Sequence, residues 1–247
     1  MKLQFSGKNF LVLGGSSDMG LEVARLLMQN ECFPLLTCRN RSGEEKIHSF
    51  LAEWDDCYQT GILDFSREET IANLFDGIDQ EIAGMVDCIH GDLEGLVGAV
   101  DTKDVHAYFA ENISVRAEVI KQAGRKMLQR KTGRMIFISS LAAEHPNPGQ
   151  GFYAASKLAS EALYRSMGLE LKSRGITTII LRPGYIDAGR GKRFIDGRKP
   201  SSSIRKKNLK ILTLREVAEV ILFLLSAGSN GITTTTITLG DQLIKLK

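Results

Sequence analysis

The sequence predicts a single-domain α/β protein: a doubly wound, parallel, seven-stranded sheet with helices on both faces. Three observations carry that expectation. Short apolar runs alternate with longer stretches of helical period along most of the chain, the pattern of strands joined by crossover helices. Several of the short runs are apolar at consecutive positions, as strands covered on both faces are. A length of 247 residues, 43% apolar and 25% charged, suits one α/β core and excludes disordered, collagen-like and disulfide-rich chains.

The first strand, 10–13, runs into GGSSDMG, where Gly14, Gly15 and Gly20 bracket a turn before a helix at 21–29. The second strand, 33–37, ends in TCRNR, and the third, 58–62, is followed by a helix at 68–82. A fourth strand at 86–89 precedes a long helical stretch at 105–129, and a fifth at 135–139 ends against Ser140. Then come a helix at 151–173, a sixth strand at 177–181, a helix at 215–226 and a seventh strand at 235–239. Thr213 is placed to cap the last helix, since a hydroxyl at that position accepts from an otherwise unbonded N–H of the first turn.

The longest apolar stretch, 220–227, is interrupted by Ser226 and falls far short of the roughly 18 residues that cross a bilayer. The N-terminus lacks the long apolar core and cleavage site of a signal peptide, so a cytoplasmic protein without a membrane segment is expected. Cys32, Cys38, Cys57 and Cys88 form no CxxC pair and no ligand-spaced cluster with the four histidines. Buried free thiols, and no metal, are expected. The net charge of +3 is too small to imply nucleic-acid binding. It is unevenly placed: residues 189–210 hold nine Lys/Arg against Asp196 alone. This insertion reads equally as a solvated loop or as a lid over the carboxyl ends of the strands, where open α/β sheets bind ligands.

Glycines between a strand and a helix let backbone N–H groups approach a pyrophosphate, which the positive end of the helix dipole stabilises. The segment Gly14, Ser16, Ser17, Asp18, Met19, Gly20 is therefore a candidate cradle for a dinucleotide. At the end of the second strand stands Cys38, where an acid would bind the 2′-hydroxyl of NAD, with Arg39 and Arg41 just after it. Arginine suits the 2′-phosphate of NADP, so NADP(H) is the expected cofactor. Tyr153 and Lys157 are four residues apart, which on a helix puts phenol and ammonium on one face. The cation favours the phenolate and lowers the phenol's pKa from about 10 toward neutrality, where it exchanges a proton with a substrate oxygen. Each of these motifs alone is common.

In order along the chain, the glycine-rich turn, Val86–Asp87, Asn112, Ile138 to Ser140, YAASK and RPGYID resemble the short-chain dehydrogenase/reductase family. The surrounding NPGQGFYAASK is most similar to its 3-oxoacyl-[acyl carrier protein] reductases. The resemblance covers nearly the whole chain and implies a Rossmann-like fold and an NADP-dependent carbonyl reductase acting on a 3-oxoacyl thioester bound to acyl carrier protein or CoA. It implies that Tyr153 protonates the carbonyl oxygen as hydride arrives, that Ser140 orients that oxygen, and that Lys157 holds the nicotinamide ribose. Asn112 would position a water behind the lysine. Pro183, Gly184 and Ile186 would pack against the nicotinamide, and Asp64 would meet the adenine. A homotetramer or homodimer joined through 105–129 and 151–173 is implied as well. Lys131 and Arg174, with Lys126 and Arg130 near them, are similar in position to residues that touch an acidic carrier; their alternative reading is a solvated surface.

The chain departs from the family in three places. Asp18 stands for a glycine of the turn, either capping the helix or repelling a pyrophosphate. The NNAG after the fourth strand is missing, and Ala188 replaces a common threonine. His90 and Asp92 follow that strand, and an isolated histidine there reads as structural or solvated, so both are left out of the site. Two other functions stay open: reduction of another ketone or secondary-metabolite intermediate, and a noncatalytic dinucleotide-binding regulator. The intact Asn, Ser, Tyr and Lys set argues against the latter.

Overall fold

A computed structural model describes residues 3–189, 191–192 and 211–240. The chain runs β1 (Asn9–Leu13), α1 (Asp18–Gln29), β2 (Phe33–Cys38), α2 (Arg41–Phe50), β3 (Gln59–Ile62), α3 (Glu69–Asp76) and β4 (Gly84–Asp87). It continues with α4 (Thr102–Phe109), a π-helical turn (Ala110–Val115), α5 (Arg116–Arg130), β5 (Gly133–Ile138) and α6 (Gly151–Leu171). The last elements are β6 (Ile176–Pro183), α7 (Leu214–Leu225) and β7 (Thr235–Leu239). The strands form one sheet in the order β3-β2-β1-β4-β5-β6-β7, every neighbour parallel.

Alternation along β1 builds both layers. Phe10 and Val12 face one cluster with Leu27 of α1 and Ile221 of α7. Leu11 and Leu13 face the other, with Ile71 of α3, Val119 of α5 and Tyr164 of α6. Successive strand side chains point to opposite faces, so a run of four apolar residues is what a strand between two helical layers requires. From β1 the order steps outward to β2 and β3 on one side and to β4 through β7 on the other. The crevice at the carboxyl ends of β1 and β4 is thus the switch point where such sheets bind ligands.

Several expected boundaries move, for physical reasons. The strand expected at 86–89 lies at Gly84–Asp87, because the Asp87 carboxylate accepts from Ile89 N (3.0 Å) and turns the chain out of the ladder. The stretch 105–129 is two helices split by the π-helical turn, and the helix expected to reach 82 ends at Asp76 against Gly77. Helix α2 was not expected: its two large apolar residues are Ile47, which is buried, and Phe50, which is exposed, and the Asn40 side chain caps it by accepting from Gly43 N (3.0 Å). Thr213 caps α7 in a reciprocal pair with Glu216. Cys32 and Cys38 are buried, and burial pushes each thiol up to about 11. Cys57 is exposed and Cys88 partly so, against the expectation of four buried thiols. Among the described residues no helix is long and apolar enough to cross a membrane. All of the basic insertion except Gly189, Gly191 and Lys192 lies outside the described residues.

Candidate active site

The glycine turn is held by Ser17, whose hydroxyl donates to Gly14 O (2.7 Å) and accepts from Gly20 N (3.1 Å). Gly14 has a φ of +74°, in the left-handed region that glycine enters without cost. A Cβ on Gly20 would lie 2.3 Å from Gly14 O and 2.8 Å from Gly15 Cα, so α1 approaches the turn this closely only because position 20 carries no side chain. Asp18 is not the cap, which corrects one expectation. It is the first helical residue, and its carboxylate pairs with Lys46 of α2 at 3.2 Å. The cation beside it offsets the charge that would oppose a phosphate.

Thr37 ties the turn to β2: its hydroxyl accepts from Gly14 N (3.0 Å) and its carbonyl from Gly15 N (2.6 Å). Just beyond, Arg39 reaches Asp64 at 3.2 Å. Burial opposes the Asp64 carboxylate, but bonds from the Ser66 N–H and hydroxyl, together with the Arg39 guanidinium, outweigh it and hold the group below the usual carboxylate range. Arg39 and Asp64 therefore form one unit at the mouth of a cavity of about 290 Å³, which Gly14, Ser16, Ser17 and Asn112 also line.

A second cleft of about 270 Å³ adjoins it and brings together Ser140, Tyr153 and Lys157 with Asp18, Met19, Pro183, Gly184 and Ile186. Ser17, Cys88 and His90 line both spaces, so the two are neighbouring hollows at the switch point. Lys157 is 4% exposed. Its ammonium donates to Ile138 O (2.7 Å) and lies 4.8 Å from the centre of the Phe137 ring and 5.8 Å from that of Tyr153. The Ser140 hydroxyl oxygen accepts from Ala142 N (3.1 Å) at the end of β5. Arg182 forks onto buried Glu161 (2.8 and 2.5 Å), seating the Pro183–Gly184 turn on the cleft.

Asn112 stands apart from these three, lining the neighbouring space. Its side chain accepts from Gly91 N (3.0 Å) and donates to Tyr108 O (2.9 Å), while its carbonyl accepts from Arg116 Nε (3.0 Å) and Ser160 Oγ (3.1 Å). In place of NNAG, buried Asp87 and Arg116 pair directly, with neither side chain exposed. Tyr164 OH donates to Asp87 (2.8 Å), Arg116 donates to Ile89 O (2.7 Å), and the Phe65 and Phe137 rings lie 5.5 and 5.3 Å from the guanidinium.

His90, left out of the site on sequence, lines both spaces, with its ring 4.8 Å from that of Tyr153. Its place just past the carboxyl end of β4, at the switch point, was the available signal. Lys131 and Arg174 lie just before the amino ends of β5 and β6, where Gly133 N bonds Gly175 O (3.2 Å), at the opposite end of the sheet from Ser140. Lys126 is engaged with Ile78 O (2.7 Å) and Arg130 with Glu81 (3.3 Å).

The profile of the short chain dehydrogenase family matches residues 8–198. The chain belongs to this family. It is accordingly an oxidoreductase that uses a nicotinamide dinucleotide, NAD or NADP. Among curated relatives, 3-oxoacyl-[acyl-carrier-protein] reductases are 29% identical in Rickettsia felis and 28% in Rickettsia prowazekii, each over 95% of this chain and 96% of the relative. The Vibrio cholerae reductase is 26% identical, with the same coverage. A short-chain type dehydrogenase/reductase from Mycobacterium ulcerans superposes with a TM-score of 0.86 at 24% identity, over 97% of this chain and 94% of that one. NAD⁺-bound xylitol dehydrogenase superposes with 0.86 at 22%, over 96% and 98%, and NADP-bound ElxO with 0.84 at 24%, over 94% and 97%. These three share the Rossmann-like fold seen here.

Proposed function

We propose that the protein is an NADPH-dependent reductase of 3-oxoacyl thioesters. The observation that carries this reading is the pair of adjoining clefts, with Tyr153, Ser140 and Lys157 lining one and Arg39 the other. Together they fit a dinucleotide. Gly14 and Gly20 leave backbone where side chains would block a diphosphate, and the start of α1 offers N–H groups to it. Gly14, Ser16, Ser17, Asp18, Met19 and Gly20 form that cradle, Asp64 borders the adenine, and Arg39 takes the 2′-phosphate, exchanging Asp64 for a phosphate it can grip with two N–H groups. Pro183, Gly184 and Ile186 wall the nicotinamide end. When bound, the cofactor supplies the hydride.

The chain's own residues supply the rest. Tyr153 gives its phenolic proton to the carbonyl oxygen, and the buried Lys157 ammonium at its ring stabilises the phenolate left behind. Ser140 orients the same oxygen by a hydrogen bond from its hydroxyl and keeps its proton, with its own oxygen fixed by Ala142 N. Asn112 acts one step back, through the turn it holds together, on the water chain behind Lys157.

The curated relatives favour a thioester over other ketones, and a cytoplasmic enzyme supplied by acyl carrier protein. Because Lys131 and Arg174 lie at the far end of the sheet, a carrier docked there would feed the clefts of a second copy. The carrier reading is thereby tied to a homodimer or homotetramer. The test is NADPH oxidation with an acetoacetyl thioester: turnover that Tyr153→Phe abolishes supports the reading, and tight NADPH binding without turnover redirects it to another carbonyl.

A further inference from the structure

We propose that His90 is a positioning residue for Tyr153, acting with Tyr108 and Ser156 as a hydrogen-bonded brace that holds the phenol beside Lys157. The proposal rests on the reading of Tyr153 as the proton donor, and it lies where the family's NNAG is absent. Three observations converge on it. His90 Nε2 lies 2.8 Å from Tyr108 OH and 3.4 Å from Ser156 Oγ, and those two oxygens are 3.0 Å apart, closing a triangle. Ser156 donates back to the carbonyl of Tyr153 itself (2.9 Å). The His90 ring meets the Tyr153 ring edge to face, at 4.8 Å and 87°. Tyr108 and Ser156 are buried, at 6% and 0% exposure, so the triangle is a fixed internal support and not a surface contact.

Tyr153 is therefore gripped from two sides: its backbone through Ser156, and its ring through an imidazole that Tyr108 and Ser156 hold in place. On a third side is Lys157, one turn further along α6. Such an arrangement is worth more than its parts, because each group loses its orientation when another is removed. The benefit is geometric. A phenol free to swing leaves both the ammonium and the substrate oxygen, and misplacement on the ångström scale costs rate steeply. Among the described residues, the titratable groups that line the cleft with Tyr153 are Lys157 from α6, Cys88 and His90 from beyond β4, Asp18 from α1 and Tyr185 from beyond β6, with Tyr108 of α4 behind His90. Burial pushes the Cys88 thiol up, so it stays protonated. Of these, Lys157 is the cation that lies over the phenol ring, at 5.8 Å.

The experiment titrates Tyr153 by phenolate absorbance at 295 nm, each protein being measured against its own Tyr153→Phe counterpart, with no substrate present. In His90→Phe, which keeps a ring but loses Nε2, and in Tyr108→Phe, which removes one hydroxyl, the midpoint is expected to rise by about half a pH unit or more as the Lys157 cation loses its hold. The double variant should shift no further than the larger single change. With a substrate in hand, kcat falls by about tenfold, while KM and the NADPH dissociation constant stay within about twofold. Midpoints equal to wild type in both single variants overturn the brace. A loss of NADPH binding equal to the loss of kcat/KM overturns it too, by making His90 a cofactor contact. If the wild type turns over no thioester, the proposed substrate fails while the titration still decides the brace.

Discussion

Replacing Arg116 by methionine leaves the unexposed Asp87 carboxylate without its cation and, among the described residues, with Tyr164 OH and Ile89 N as its donors. Removing one partner of such a buried pair costs about 3–5 kcal/mol. The carbonyls of Asn112 and Ile89 lose their guanidinium donors at the same time, and a buried acceptor left unbonded costs about 1–3 kcal/mol. Asn112 O keeps Ser160 as a donor, which holds the total near the upper end of the ion-pair range. Against a domain stability of about 5–15 kcal/mol, this is a third or more of the whole. The assay is urea unfolding followed by circular dichroism, with Arg116→Met compared with the double variant Asp87→Asn/Arg116→Met. The double variant no longer buries an unpaired charge, so it should recover part of the loss. A single-variant loss below about 1 kcal/mol, the range of an exposed ion pair, or a double variant no more stable than the single one, would refute the reasoning.

The glycine turn, its flanking charges and its arginine give the other predictions. Gly20→Ala places a methyl 2.3 Å from backbone at Gly14 O, so it should cost about 1–3 kcal/mol of overpacking and weaken NADPH binding, read by melting and by fluorescence titration. Asp18→Gly removes no cap, since Ser17 is the cap, but it puts glycine at the first helical position and takes away the partner of Lys46, so the fold should lose about 1 kcal/mol while NADPH binds more tightly; weaker binding would show that Asp18 supports the turn more than it repels the diphosphate. Arg39→Ala should reduce the preference for NADPH over NADH with little effect on NADH, checked by parallel dissociation constants. The same variant bears on acid stability. Because Asp64 is held below its unfolded value, its contribution is present above the usual carboxylate range and is lost as pH falls through its folded pKa. Without Arg39 that loss should begin at higher pH, visible in acid titration of the fold.

Strand order and layering were legible because consecutive apolar residues in 10–13 and 135–138 leave little choice but burial between two helical layers. Tyr153, Lys157 and Ser140 were legible because spacing along a helix and a strand end is local information. The contacts of Asn112 were not, since they depend on a π-helical turn and on Gly91 and Ser160, which lie 21 and 48 residues away in sequence. Nor was helix α2, which buries Ile47 alone and is held by the Asn40 cap and the reach of Lys46 to Asp18. His90 escaped because its partners, Tyr108 and Ser156, are 18 and 66 residues away in sequence, so only the folded chain assembles them.

We propose that Tyr153 and Arg39 serve one reaction from adjoining clefts. The measurement is NADPH oxidation by the purified protein with an acetoacetyl thioester, run beside NADH and beside Tyr153→Phe. The account predicts turnover with NADPH, much less with NADH, and none in the variant despite nearly unchanged NADPH binding. Turnover that survives Tyr153→Phe, or a protein that neither binds NADPH nor oxidises it, would contradict it.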